Sequence, residues 1–85
     1  MLVKVIQADV VGPFSLRLSF NDGTVKRVNL RRWLNGPVFE PLRNPVAFSR
    51  IVLDDETVTW PAFDVDMAPE FLYELEPEPE PSLAG

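Results

Sequence analysis

The stretch Phe14-Ser-Leu-Arg-Leu-Ser-Phe20 alternates apolar and polar residues without a break, and no other segment restricts the fold as much. Side chains of a strand point to opposite faces at each step, so Phe14, Leu16, Leu18 and Phe20 share one face and Ser15, Arg17 and Ser19 the other. A strand of this kind is half-buried and needs a partner. Asn21-Asp-Gly-Thr24 follows with residue types that tolerate positive φ, and Val25-Lys-Arg-Val-Asn-Leu30 resumes extended composition. Residues 14–30 therefore read as a β-hairpin. With 85 residues the chain can support one small core, and the other segments must cover the apolar face of this hairpin.

Val3, Val5 and Ala8-Asp-Val-Val11 have strand composition and stop at Gly12-Pro13, which predicts a first strand and a turn. Arg31-Arg-Trp-Leu34 predicts a short helical turn closed by Asn35-Gly-Pro37. Val38-Phe-Glu-Pro-Leu42 is too broken by proline for regular structure, with Phe39 and Leu42 as anchors under a loop. Asn44 followed by Pro45 is an N-cap with proline in the first turn, the start of a short helix. Arg50-Ile-Val-Leu53 and Thr57-Val-Thr-Trp60, joined by Asp54-Asp-Glu56, predict a second hairpin that Pro61 ends. After a connector, Asp66-Met-Ala-Pro-Glu70 opens a helix through Leu75, with Asp66 as the capping candidate. Phe71, Leu72, Tyr73 and Leu75 make that helix apolar on most sides, so it is buried on the sheet or shared with another chain. The expected fold is α+β over residues 1–75: about five mostly antiparallel strands, two hairpins plus an N-terminal strand, with two short helices.

The charge is concentrated at the end of the chain. Formal net charge is −5, but Glu76, Glu78 and Glu80 alternate with Pro77, Pro79 and Pro81, and without them residues 1–75 carry ten acids against eight bases. Proline removes backbone donors, and self-repelling charge with little apolar surface leaves nothing to offset ordering entropy. Residues 76–85 are expected to be a disordered acidic, proline-rich tail that can also lie across a basic patch of the body. The body itself is close to neutral, which argues against direct binding of nucleic acid. The N-terminal stretch lacks the continuous apolar run of a signal peptide or membrane span, so a soluble cytoplasmic protein is expected.

The chain contains neither histidine nor cysteine. That removes thiolate chemistry, disulfides and the commonest general base and metal ligand. Asp54-Asp-Glu56 sits in a predicted turn, where acids are ordinary, and Asp64-Val-Asp66 has only a fragment of the spacing of a calcium loop. No phosphate-cradling glycine loop and no nucleophile elbow occur. The chain is expected not to be an enzyme, and no cofactor or metal is implied. The one basic concentration is Lys26-Arg27 with Arg31, Arg32 and Trp33, which Arg43 joins if the loop folds back. Guanidinium beside an aromatic ring suits an acidic partner, since it pairs bidentately with carboxylates and stacks on rings.

In order along the chain, Ser19-Phe-Asn-Asp-Gly-Thr24, Gly36-Pro-Val-Phe-Glu-Pro-Leu42, Asn44-Pro45 with Phe48, Thr59-Trp-Pro61 and Asp66-Met-Ala-Pro-Glu-Phe-Leu-Tyr73 resemble the small bacterial family catalogued as domain of unknown function 2442. The likeness covers residues 2 to about 75. It departs at Phe63-Asp-Val-Asp66, where the family more often has a shorter approach to the aspartate. The resemblance implies a small α+β domain without an assigned activity. It also implies a relation to domains that precede a helix-turn-helix in larger regulators, and a small partner protein encoded nearby, as in toxin–antitoxin pairs. No helix-turn-helix is expected after residue 75 of this sequence.

Two functions follow as expectations. The first is a non-catalytic interaction module, antitoxin-like or a regulatory partner-binding domain, that binds its partner through Arg31, Arg32, Trp33, Phe39 and Arg43 and through the helix over 67–75. The second is a small-ligand sensing domain with a pocket formed by Trp60, Asp64, Asp66 and Tyr73. A homodimer is expected in either case, because a small sheet with a free edge commonly completes its burial against a second copy.

Overall fold

Strand β2 (Ser15–Phe20) is the middle of an antiparallel sheet, between β1 (Val5–Val10) and β3 (Val25–Asn29), in a computed structural model that describes residues 2–79. The alternation seen in the sequence is the alternation of burial: Leu16, Leu18 and Phe20 are fully buried and Arg17 is exposed. Gly23 takes φ +91° in the β2–β3 turn, where the Asp22 carboxylate accepts from the Thr24 amide at 2.9 Å. Register pairs Leu16 with Val28 and Arg17 with Arg27, and on the other side Leu18 with Ala8. A bulge between Val5 and Gln7 shifts the β1 register. Asn21 holds the incoming chain, accepting from the Lys4 amide and donating to the Leu2 carbonyl.

After β3 the chain runs through short helical pieces. A 3-10 turn covers Arg31–Trp33, helix α1 Gly36–Phe39, a second 3-10 turn Glu40–Arg43 and helix α2 Pro45–Phe48. Residues 38–42, expected to lack regular structure, are thus helical, because Pro37 and Pro41 each stand in a first turn, where proline removes no needed bond. Asn44 caps α2 as expected, its side-chain oxygen accepting from the Val46 and Ala47 amides. Leu42 and Phe48 are the buried anchors of the segment, and Phe39 is half-buried.

A second antiparallel sheet has the order β4 (Val52–Leu53), β5 (Val58–Trp60), β6 (Val65–Asp66), followed by helix α3 (Pro69–Glu74). The β4–β5 turn is closed by the Asp54 carboxylate, which accepts from the Glu56 and Thr57 amides. The α+β class holds, with corrections in detail. The described residues form six strands in two sheets, against about five, because the connector before α3 pairs with β5. They form three α-helices and three 3-10 turns, against two short helices. Asp66 lies in β6 opposite Thr59 and does not cap α3, whose N-cap is Ala68 without a side-chain bond.

One contiguous core joins both sheets, running from Val5 and Leu16 through Phe48 and Trp60 to Met67 and Leu72. The Trp60 indole nitrogen donates to the Phe48 carbonyl at 2.8 Å, and the two rings pack with centroids 5.6 Å apart. The sheets also meet through the backbone, the Val5 amide donating to the Glu56 carbonyl at 2.9 Å. No helix among the described residues is long and apolar enough to cross a membrane.

Candidate functional site

The chain leaves β3 through Asn29, whose side chain accepts from the Arg31 amide, and turns at Leu30, whose carbonyl accepts from the Trp33 amide. Leu30 and Leu34 are buried on either side of the turn. Arg31, Arg32 and Trp33 between them are directed outward, and Trp33 is 41% exposed. Helix α3 buries Pro69 and Leu72, which leaves Phe71 on its flank. The Phe71 ring meets Trp33 edge to face at 5.3 Å. Trp33, Phe39, Met67, Ala68 and Phe71, with Asp66 at one end, line a groove of about 300 Å3. Next to the groove, the Arg32 guanidinium lies 5.5 Å from the Trp33 ring centre, while Arg31 lies over Phe14.

Two of the segments singled out in the sequence, the loop after β3 and the last helix, therefore meet at Trp33, Phe39 and Phe71. Arg43 ends the second 3-10 turn, and no hydrogen bond, ion pair or ring contact among the described residues joins it to Arg31 or Arg32. Of the four residues considered for a small-ligand pocket, Asp64 and Asp66 border one depression, while Trp60 and Tyr73 are engaged elsewhere. Trp60 is 1% exposed and belongs to the core. Tyr73 is a clamp: its hydroxyl donates to Asp22 and its ring stands edge-on to Phe20 at 5.0 Å. That bond, with the Thr24 amide, holds the Asp22 carboxyl below the usual carboxylate range. Asp64 takes left-handed backbone at φ 55° and, with Asp66, borders an open depression beside Thr59. Among the described residues no three His, Cys, Asp or Glu side chains gather as a metal ion requires.

A second arrangement lies on the outer face of the first sheet, where the start of the acidic stretch meets Lys26 and Arg27 of the basic concentration. Lys26 donates to the carbonyls of Tyr73 and Leu75, satisfying the C-terminal end of α3 and directing the chain along β3. Desolvation lowers the Lys26 pKa, opposed by the charge of Glu74. The Glu78 amide then donates to the Arg27 carbonyl at 2.6 Å, and the Glu78 carboxylate accepts from Ser15 Oγ at 2.7 Å, Arg27 Nε at 3.0 Å and Asn29 Nδ2 at 3.4 Å. Ser15 is 2% exposed although it lies on the polar face of β2, because this carboxylate covers it. Glu78 belongs to the stretch 76–85 expected to be a disordered tail and is held by these bonds, while residues 80–85 lie outside the described residues. The signal in the sequence was the pairing of Ser15 with Asn29 across the hairpin, two short polar side chains beside an arginine.

Fold and site define a small α+β domain in which two three-stranded antiparallel sheets share one core and an aromatic groove opens to solvent. Residues 5–78 match the family described as Protein of unknown function (DUF2442), and the chain belongs to that family. Neither the curated proteins nor the solved structures give a match.

Proposed function

We propose that this chain is a non-catalytic interaction module of the cytoplasm, whose groove between Trp33, Phe39 and Phe71 receives an acidic segment of a small protein partner encoded nearby, as in an antitoxin-like pair. The observation that carries the reading is a tryptophan 41% exposed yet fixed against Phe71, with Arg31 and Arg32 beside it and no ion pair to either among the described residues. Partly exposed Trp with neighbouring Arg is the composition of an interface anchor, and the free guanidinium groups select for acid in the partner. Self-association belongs to the same reading. The β3 edge is taken by Glu78, which leaves β1, with Ile6 and Val10 exposed, as the edge of that sheet offered to a second copy. The sensing alternative draws less support, since Trp60 and Tyr73 are engaged in hydrogen bonds to Phe48 and Asp22.

Co-expression with the product of the adjacent gene tests the proposal. The expected result is a complex that Trp33→Ala and Phe39→Ala each weaken at least about tenfold, the scale of an interface anchor, while Arg43→Ala has little effect. Recovery of the chain alone, or a complex indifferent to both aromatic substitutions, would overturn it.

A further inference from the structure

We propose that Ser15, Arg27 and Asn29 form a docking site on the β3 edge for an extended, glutamate-bearing segment of a partner protein, and that Glu78 of the same chain fills this site as a built-in competitor. The site reads two things at once. The Arg27 carbonyl asks for a backbone amide at the edge of the sheet, and the three side chains around it ask for a carboxylate one residue's reach away. Adding a strand to a free edge supplies affinity through main-chain bonds, while pockets for alternate side chains supply selection. The donor set suits an anion and its members hold one another: Asn29 Nδ2 also donates to Ser15 Oγ at 3.2 Å, which leaves the serine hydroxyl to donate to the carboxylate. Arg27 stands directly across from Arg17, so the site carries like charges that favour an acid at this place on the sheet. The ion pair with Glu78 leaves side-chain exposures of only 22% and 24%.

The sequence of the occupant sharpens the inference. Glutamate recurs at 76, 78 and 80 with proline between. Successive amides of an extended chain point to opposite sides, so a segment of this composition keeps its N–H groups on the side of the sheet and has none on the outer side. It can add to β3 and then accept no further strand. The repeat also offers the site more than one glutamate at the same spacing, so a partner meets a competitor tethered a few residues away. Tethering of this kind supplies an effective concentration in the millimolar range.

The test uses the full chain and a synthetic peptide, Leu-Glu-Pro-Glu-Pro-Glu-Pro, corresponding to residues 75–81. The chain with Glu76→Gln, Glu78→Gln and Glu80→Gln together is expected to bind the peptide at least about tenfold more tightly than the unaltered chain does. Adding Arg27→Ala to the triple variant, or replacing glutamate by glutamine in the peptide, is expected to abolish binding. Phe39→Ala is expected to leave it unchanged, which separates this site from the aromatic groove. Equal binding by both chains, or retention with the glutamine peptide, would overturn the proposal. If the triple variant does not fold, the NMR signal of the Arg27 Nε–H in the unaltered chain decides: it must move as Glu78 titrates, and an unmoved signal rejects the site.

Discussion

A carboxylate that is partly withdrawn from water has its charged form penalised, and only good donors reverse the effect. Glu78 is such a group: desolvation pushes its pKa up, the hydrogen bonds from Ser15, Arg27 and Asn29 and the Arg27 charge pull it down, and the net result is a value below the ordinary 4.5. A pKa lower in the folded than in the unfolded chain gives stability that is present above 4.5 and lost as pH falls through the folded-state value. Arg27→Ala should therefore cost about 1 kcal/mol at neutral pH and much less in strong acid, as denaturant titrations at the two conditions would read. Trp60 makes a different residue-scale prediction. Trp60→Phe removes the donor to the Phe48 carbonyl and leaves a buried acceptor unmet, so about 2 kcal/mol of stability should be lost. The sequence showed an aromatic residue at the end of a strand; that its indole faces the α2 carbonyl depends on two segments meeting in space, which no local pattern encodes.

Elements were legible where their signals were local and adjacent. Asn44 directly precedes Pro45, so cap and first helical residue fall in their required order, and Asn44→Ala should destabilise by about 1 kcal/mol with little change elsewhere, measurable by thermal or denaturant unfolding. Asp66 resembles a cap but stands three residues before Pro69, and a proline in the first turn puts the N-cap at Ala68. Freed from capping, Asp66 and Val65 pair with β5 as a two-residue strand, too short to leave a periodic mark in the sequence. In β2 periodicity is the whole story. Leu18→Ala, at a fully buried position, should cost about 3 kcal/mol, while Arg17→Ala next to it should stay within about 0.5 kcal/mol. A comparable loss at both positions in denaturant titrations would mean that the sheet does not bury the face described.

At the scale of the molecule, the two segments expected to carry contacts do carry the aromatic groove, but their meeting was hidden because the position of α3 depends on the β5–β6 pairing and on Lys26 holding its C-terminal carbonyls. Equally hidden was the division into two sheets, since tight turns reveal which strands pair and say nothing about which hairpins pack together. The sheets are separate in hydrogen bonding and continuous in packing: Val5, Leu16 and Phe20 of one share a core with Val58, Trp60 and Val65 of the other. The second sheet has strands of two, three and two residues, too little to bury a face alone. It should therefore have no stability of its own, and the whole domain should unfold in one step. The chain has two tryptophans, so Trp33→Phe leaves Trp60 as a fluorescence probe of the second sheet, while far-UV circular dichroism is dominated by the longer strands of the first. The two signals should give coincident denaturation curves. A Trp60 transition at lower denaturant than the dichroism would show that the β4–β6 sheet and its helix detach first, and that the shared core is not the unit of stability.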